Sequence, residues 1–98
     1  MPDDMELQPI ESWRIHVTGR VQGVSFRAYA KREAVRLGLT GEVSNQPDGS
    51  VEIIAEGFVP ALAMFRSWCE MGSPHANVKG IEVTPAPVAG RSGFAIRR

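Results

Sequence analysis

The sequence GRVQGVSFR occupies residues 19–27 and separates two different hydrophobic patterns. Before it, Trp13, Ile15 and Val17 alternate with polar residues, which is typical of a half-buried β-strand. After it, apolar residues recur at helical spacing over residues 26–37. This stretch is therefore predicted to connect a strand directly to a helix, through two glycines that permit a tight turn.

The same stretch is a candidate anion cradle. A glycine-bounded loop before a helix presents unpaired backbone N–H groups, and the helix dipole favours negative charge at that end. Arg27 falls in the first helical turn, where a cation opposes the dipole by about 0.3–1 kcal/mol. A bound phosphate would reverse the sign of that interaction. The loop by itself leaves open the alternative of a simple strand-to-helix turn without a ligand.

Composition places the chain among ordinary globular domains. It has 98 residues, 11 basic and 11 acidic side chains and a formal net charge of zero, which argues against a general nucleic-acid binder. Cys69 is the single cysteine, so no intrachain disulfide can form, and no zinc-type ligand spacing is present. No apolar run is long enough for a membrane span. We expect a monomer in the reducing cytoplasm, with neither a nucleic-acid nor a membrane partner.

The chain divides into a flexible N-terminal tail, residues 1–12, and one domain, residues 13–98. Residues 40–46 and 50–57 are predicted strands joined by a turn at the sequence PDGS, hence a hairpin. A second helix is predicted to begin near Pro60. The remaining predictions are a buried stripe on that helix (Leu62, Phe65, Cys69), a fourth strand with a bulge (Val78, Gly80, Ile81, Val83), a chain break (Pro85, Pro87) and a short last strand (Phe94, Ile96).

The first helix has terminal signals of its own. Ser25 is predicted to be its N-cap and Gly38 its C-terminal stop.

This order is β-α-β-β-α-β plus a short C-terminal strand, which predicts a ferredoxin-like α/β sandwich of the α+β class. Both helices would pack on one face of an antiparallel sheet, with the first and third strands at its centre. Asn45 shares its strand parity with the predicted core residue Val43, so its amide should face the helix-covered side. That placement would bring Asn45 close to the loop and to Arg27.

Two blocks of the sequence closely resemble the acylphosphatase family. They are GRVQGVSFR at residues 19–27 and GEVSNQPDGSVE at residues 41–52, with further matches at residues 72–74 and 94–97. The resemblance runs from about Trp13 to Arg97. It implies an enzyme that hydrolyses acyl phosphates to a carboxylate and inorganic phosphate, without a metal or other cofactor. Inorganic phosphate or sulfate would then compete for the same site.

The resemblance also implies roles for individual residues. Arg27 would be the phosphate-binding catalytic arginine, and Asn45 the catalytic asparagine that orients the attacking water. Five loop residues would supply a cradle of backbone amides for the phosphate (Arg20, Val21, Gln22, Gly23, Val24). Ser25, Glu42 and Gln46 differ from the commonest family pattern, which leaves open the substrate preference and any hydroxyl that supports Asn45.

The chemistry of an acyl phosphate suits these residues. It is a mixed anhydride whose leaving group, a carboxylate, is already stable at neutral pH, so no strong general acid is needed. The enzyme has to hold the phosphoryl group, neutralise developing charge and place a water in line. An arginine fork can bind two phosphate oxygens and stays charged, and an asparagine can orient water without acting as a base.

Two alternative functions fit parts of the same sequence pattern. A non-catalytic phosphate-binding or regulatory domain of the same type is the closer alternative. An RNA-recognition module shares the topology but stacks bases on aromatic side chains of its central strands. The predicted third strand, residues 50–57, has no aromatic residue, which disfavours RNA recognition.

Overall fold

The computed structural model describes residues 9–98. Its elements, in chain order, are β1 (Ile10–Arg20), α1 (Phe26–Arg36), β2 (Thr40–Asn45), β3 (Val51–Phe58), α2 (Val59–Met71), β4 (Asn77–Ala86) and β5 (Phe94–Arg97). Strand β1 begins three residues before its predicted start, so residues 10–12 belong to the sheet and not to a tail. The rest of the predicted tail, residues 1–8, lies outside the described residues.

The five strands form one sheet in the order β4-β1-β3-β2-β5. Strands β1 to β4 pair antiparallel, with β1 and β3 at the centre of this unit, as predicted. Strand β5 joins the outer edge of β2 in parallel, so the whole sheet is mixed and not antiparallel throughout. The prediction of a ferredoxin-like fold is confirmed. The last strand, β5, adds a fifth strand to the sheet next to β2.

The core lies between the helices and one face of the sheet. Ile15 and Ile53 of the central strands are fully buried there with Phe65 of α2. The predicted stripe on α2 is confirmed, because Leu62, Phe65 and Cys69 all have zero exposure. The ring centroids of Phe26 and Trp68 lie 5.4 Å apart and join the two helices. Full burial of such side chains stabilises the fold by about 1.5–3 kcal/mol each. This packing fixes the position of α1, which follows the loop directly.

The connection between β4 and β5 is tied to the sheet by one carboxylate. Glu56 of β3, only 5% exposed, accepts hydrogen bonds from the backbone N–H groups of Ala89, Gly90 and Arg91 at 2.8, 2.9 and 3.2 Å. These bonds, that from Ala89 foremost, hold the pKa of Glu56 below its usual value. Glu56 follows the core residue Ala55 in β3, so its side chain points to the opposite face of the sheet, which carries no helix. The connection between β4 and β5 therefore covers part of that face.

Three local predictions have different outcomes. Ser25 occupies the N-cap position of α1, as predicted, but its backbone is left-handed (φ 60°) and its side chain makes no capping hydrogen bond. Pro85 does not break the chain; it pairs with Trp13 inside the edge strand β4, where a missing N–H donor is tolerated. A register shift opposite Gly80 confirms the predicted bulge.

Candidate active site

One pocket of about 430 Å³ brings the two principal candidate residues together. We call it the loop pocket, because the loop between β1 and α1 supplies four of its nine lining residues. Its lining also includes the first turn of α1, the end of β2 and one residue of β5 (Val21, Gln22, Gly23, Ser25, Phe26, Arg27, Ala28, Asn45, Ile96). Arg27 and Asn45 thus line the same cavity, as the strand parity predicted.

Arg27 is the second residue of α1 and is half-buried. Its Nη1 donates a hydrogen bond to the main-chain carbonyl oxygen of Arg97 in β5, at 2.9 Å. No carboxylate of residues 9–98 lies within ion-pair distance of it. The guanidinium is therefore held from one side by a neutral acceptor and keeps its charge available for an anion.

Asn45 is the last residue of β2, where it pairs with Val51 of β3. Its Oδ1 is buried and accepts no hydrogen bond from any described residue. A buried polar atom without a partner costs about 1–3 kcal/mol, so it calls for a donor from elsewhere. The side chain of Gln46 donates to Ser44 Oγ at 3.0 Å and so does not support Asn45.

The loop also offers unpaired backbone donors. The N–H groups of residues 22–28 donate to no acceptor within the described part of the chain, and the first helical bond runs from Tyr29 N–H to the carbonyl oxygen of Ser25 (3.1 Å). Gly23 has a φ of 72° and open space where a Cβ would stand. Gly19 has a different role, because a Cβ there would overlap the carbonyl oxygen of Asn77 in β4. Only the second glycine of the motif therefore lies at the pocket.

Two side chains brace the loop. Gln22 Nε2 donates to the carbonyl oxygens of Gln46 and Ser50, at 2.8 and 2.9 Å, and so ties the loop to the β2–β3 hairpin. Ser73 Oγ, which is buried, donates to the carbonyl oxygen of Val24 at 2.8 Å. The sequence reasoning missed both roles. For Ser73, the signals were its position directly after the glycine that ends α2 and the family match at residues 72–74.

The structure divides the predicted phosphate-binding set between two cavities. Val21, Gln22, Gly23 and Arg27 line the loop pocket. Arg20 and Val24 instead line a second pocket of about 340 Å³ on the same loop, which shares Gly23 and Ser25 with the first. The side chain of Gln22 has both amide hydrogens engaged, so only its backbone N–H is left for an anion.

Comparison with known proteins identifies the family. The family model described as acylphosphatase matches residues 13–96, which is most of the chain. The chain belongs to the acylphosphatase family. An acylphosphatase of Rubrobacter xylanophilus is 47% identical over 85 residues, which cover 86% of this chain and 77% of that protein. These matches confirm the resemblance seen in the sequence.

Solved structures of other proteins have the same fold. The acylphosphatase of Bacillus subtilis matches with a TM-score of 0.87 at 42% identity, over 92% of this chain and all of that one. A structure of full-length HypF, in its phosphate- and nucleotide-bound form, matches with a TM-score of 0.86 at 27% identity. The match covers 93% of this chain but only 12% of HypF, so the same fold also exists as a small part of a larger protein.

Other reactive groups lie away from the acylphosphatase motifs. Burial raises the pKa of the Cys69 thiol, and its side chain is enclosed in the core, so it is not suited to act as a nucleophile. Within residues 9–98, no group of three His, Cys, Asp or Glu side chains is placed to hold a metal ion. Neither described helix has the length and hydropathy needed to cross a bilayer.

Proposed function

We propose that this protein is an acylphosphatase that hydrolyses the carboxyl–phosphate bond of small acyl phosphates without a metal ion. The observation that carries the proposal is the shared loop pocket. Within residues 9–98, the guanidinium of Arg27 has no counterion there and the buried carbonyl oxygen of Asn45 has no donor. Unpaired backbone N–H groups of the same loop complete a set of donors suited to a phosphoryl group.

The proposed binding step uses the loop and Arg27 together. Phosphoryl oxygens accept hydrogen bonds from the loop N–H groups, chiefly those of Gln22 and Gly23, and from the guanidinium of Arg27. As charge develops on these oxygens, preorganised donors stabilise it without having to reorient. The hydrogen bond from Arg27 to the carbonyl oxygen of Arg97 keeps the guanidinium in place before substrate arrives.

The proposed chemical step uses Asn45 to place a water. Its Oδ1 accepts one hydrogen of the water, which leaves a lone pair of the water oxygen directed at phosphorus. A new oxygen–phosphorus bond forms as the bond from phosphorus to the acyl oxygen breaks, and its electron pair leaves with the carboxylate. The proton of the water passes to a phosphoryl oxygen, so no side chain has to act as a base.

The alternative, a phosphate-binding domain without activity, is not favoured. The family model and the relatives that share nearly half of their residues with this chain are acylphosphatases. Arg27 and Asn45 are both present and line one cavity, which binding alone would not require of Asn45. A cytoplasmic location, a monomeric state and competition by phosphate or sulfate remain predictions.

The function is tested by following benzoyl phosphate hydrolysis in water enriched in heavy oxygen. We expect steady turnover to benzoate and inorganic phosphate, with the label in the phosphate, because the water attacks phosphorus. Label in the benzoate would contradict attack at phosphorus. Phosphate binding without any turnover would instead support the non-catalytic alternative.

A further inference from the structure

A second pocket adjoins the loop pocket and has no role in the mechanism above. It has a volume of about 340 Å³ and shares two residues with the loop pocket, Gly23 and Ser25. Asn45 lines the loop pocket but not the second pocket. The remaining walls come from β1, the loop, α1 and the segment after α2 (Arg20, Val24, Tyr29, Pro74, His75).

The second pocket carries an unpaired positive charge. Arg20 is the one charged residue in its lining, is exposed, and makes no ion pair with a carboxylate of the described residues. His75, also exposed, adds ring nitrogens to the same lining. A cation without a counterion in a protein of zero net charge attracts anionic ligands locally.

Ser25 lies at the boundary between the two pockets in a strained conformation. Among the described residues, it is the only one other than glycine with a positive φ. Its exposed side chain makes no capping hydrogen bond to α1. Residues held in such conformations cluster at ligand sites. The Ser25 side chain does not cap α1, and its hydroxyl lies where the two pockets meet.

The direction of the reaction suggests what the second pocket holds. In an in-line displacement, the leaving group departs from the face of phosphorus opposite the attacking water. With the water at Asn45, the acyl group must extend away from that residue, and the second pocket adjoins the loop pocket without contact to Asn45.

We propose that the second pocket binds the acyl part of the substrate and selects acyl phosphates that carry a further negative charge. Arg20 pairs with that charge, and Ser25 and His75 offer hydrogen bonds to polar groups of the acyl chain. The proposal rests on the acylphosphatase function proposed above. It defines the substrate class as monophosphates of dicarboxylic or similarly charged acids.

The test compares three aryl acyl phosphates: benzoyl, 4-carbamoylbenzoyl and 4-carboxybenzoyl phosphate. The last two have the same size and differ in charge, so the ratio of their kcat/KM values isolates recognition of the carboxylate. We expect the protein to favour the carboxylate by about three- to tenfold, the range for a partly exposed ion pair with a hydrogen bond. High salt should reduce this preference.

Variants assign the preference to the second pocket. Arg20→Gln should bring the carboxylate-to-carboxamide ratio to about one, whatever it does to the absolute rates. His75→Ala should lower the ratio as well, because it removes a hydrogen-bonding group from the lining of the second pocket. Arg14→Gln is the matched control, because Arg14 is an exposed arginine of the same strand and lines neither pocket; it should leave the ratio intact.

The two proposals fail in different ways. A parent protein that hydrolyses benzoyl phosphate but shows no carboxylate preference, or an Arg20→Gln protein that keeps the preference, would overturn the second-pocket proposal alone. A folded parent protein that hydrolyses none of the three probes would overturn the acylphosphatase function itself.

Discussion

Nη1 of Arg27 donates a hydrogen bond to the main-chain carbonyl oxygen of Arg97, 2.9 Å away across 70 residues of sequence. The acceptor belongs to β5, which pairs in parallel with the outer edge of β2. The last strand therefore does more than extend the sheet, since it holds the guanidinium that lines the loop pocket. A side chain fixed in this way needs less reorganisation when it meets a phosphoryl group.

Removal of residues 97 and 98 should lower kcat by up to about tenfold, because Arg27 loses one hydrogen bond worth about 0.5–1.5 kcal/mol. Arg98→Ala is the control, since the main-chain carbonyl oxygen of Arg97 then remains a neutral acceptor for Arg27. Steady-state kinetics on benzoyl phosphate measures the effect, and urea unfolding reports the fold. Full kcat in the shorter protein would show that Arg97 does not position Arg27.

Arg27→Ala should reduce turnover by about 10²–10³-fold or more, because it removes a preorganised donor to the transferring phosphoryl group. Arg27→Lys should recover only part of the loss, since a point charge cannot reproduce the planar fork. Arg32→Ala, an exposed arginine of the same helix, should leave the rate unchanged. Near-parental turnover in a folded Arg27→Ala protein would remove Arg27 from the site.

Asn45→Ala should separate binding from chemistry. Turnover should fall by about 10²-fold because only the attacking water is misplaced, while the affinity for inorganic phosphate should stay close to that of the parent. Calorimetric titration with phosphate and steady-state kinetics give the two values for the same preparation. A parallel collapse of phosphate affinity would place Asn45 in the anion cradle.

Glu56→Gln should lower the free energy of unfolding at neutral pH by about 1–3 kcal/mol, since the backbone N–H groups of Ala89, Gly90 and Arg91 lose a charged acceptor. Glu52→Gln, a more exposed carboxylate of the same strand face, is the matched control.

The same contact predicts an acid dependence with a definite sign. The pKa of Glu56 in the folded protein lies below its ordinary value of 4.5, so its stabilisation is complete above that pH and is lost as the pH falls through the folded pKa. The parent should therefore lose stability below about pH 5 more steeply than Glu56→Gln. Urea unfolding at several pH values checks this, and parallel pH profiles would contradict it.

Hydrolysis should survive exhaustive treatment with EDTA and gain little from added magnesium, because the leaving carboxylate needs no Lewis acid. Inorganic phosphate should raise KM without lowering kcat, since it occupies the site of the phosphoryl group. Rates with and without chelator, followed by a phosphate titration, give both results. Loss of activity in EDTA that a divalent ion restores would overturn the metal-free mechanism even if Arg27 proved essential.

Local patterns in the sequence sufficed for the elements around the site. The alternation around Ile15, the helical spacing after residue 27 and the turn at residues 47–50 depend on neighbours in the chain, so the β-α-β-β-α-β order could be predicted. The parity of Asn45 with Val43 was enough to predict which side of the sheet it faces, because side chains alternate along a strand.

Contacts between distant residues were decided only in the tertiary structure. The parallel pairing of β5, the bond from Arg27 to Arg97 and the anchor at Glu56 depend on how the chain crosses the sheet, which no local pattern encodes. Ser25 shows the same limit, since its residue type favours an N-cap but the packed loop imposes a left-handed backbone. The sequence by itself determined the elements and the two motif residues, because propensity and periodicity act over a few residues; the shape of the site required the long-range contacts that hold those elements together.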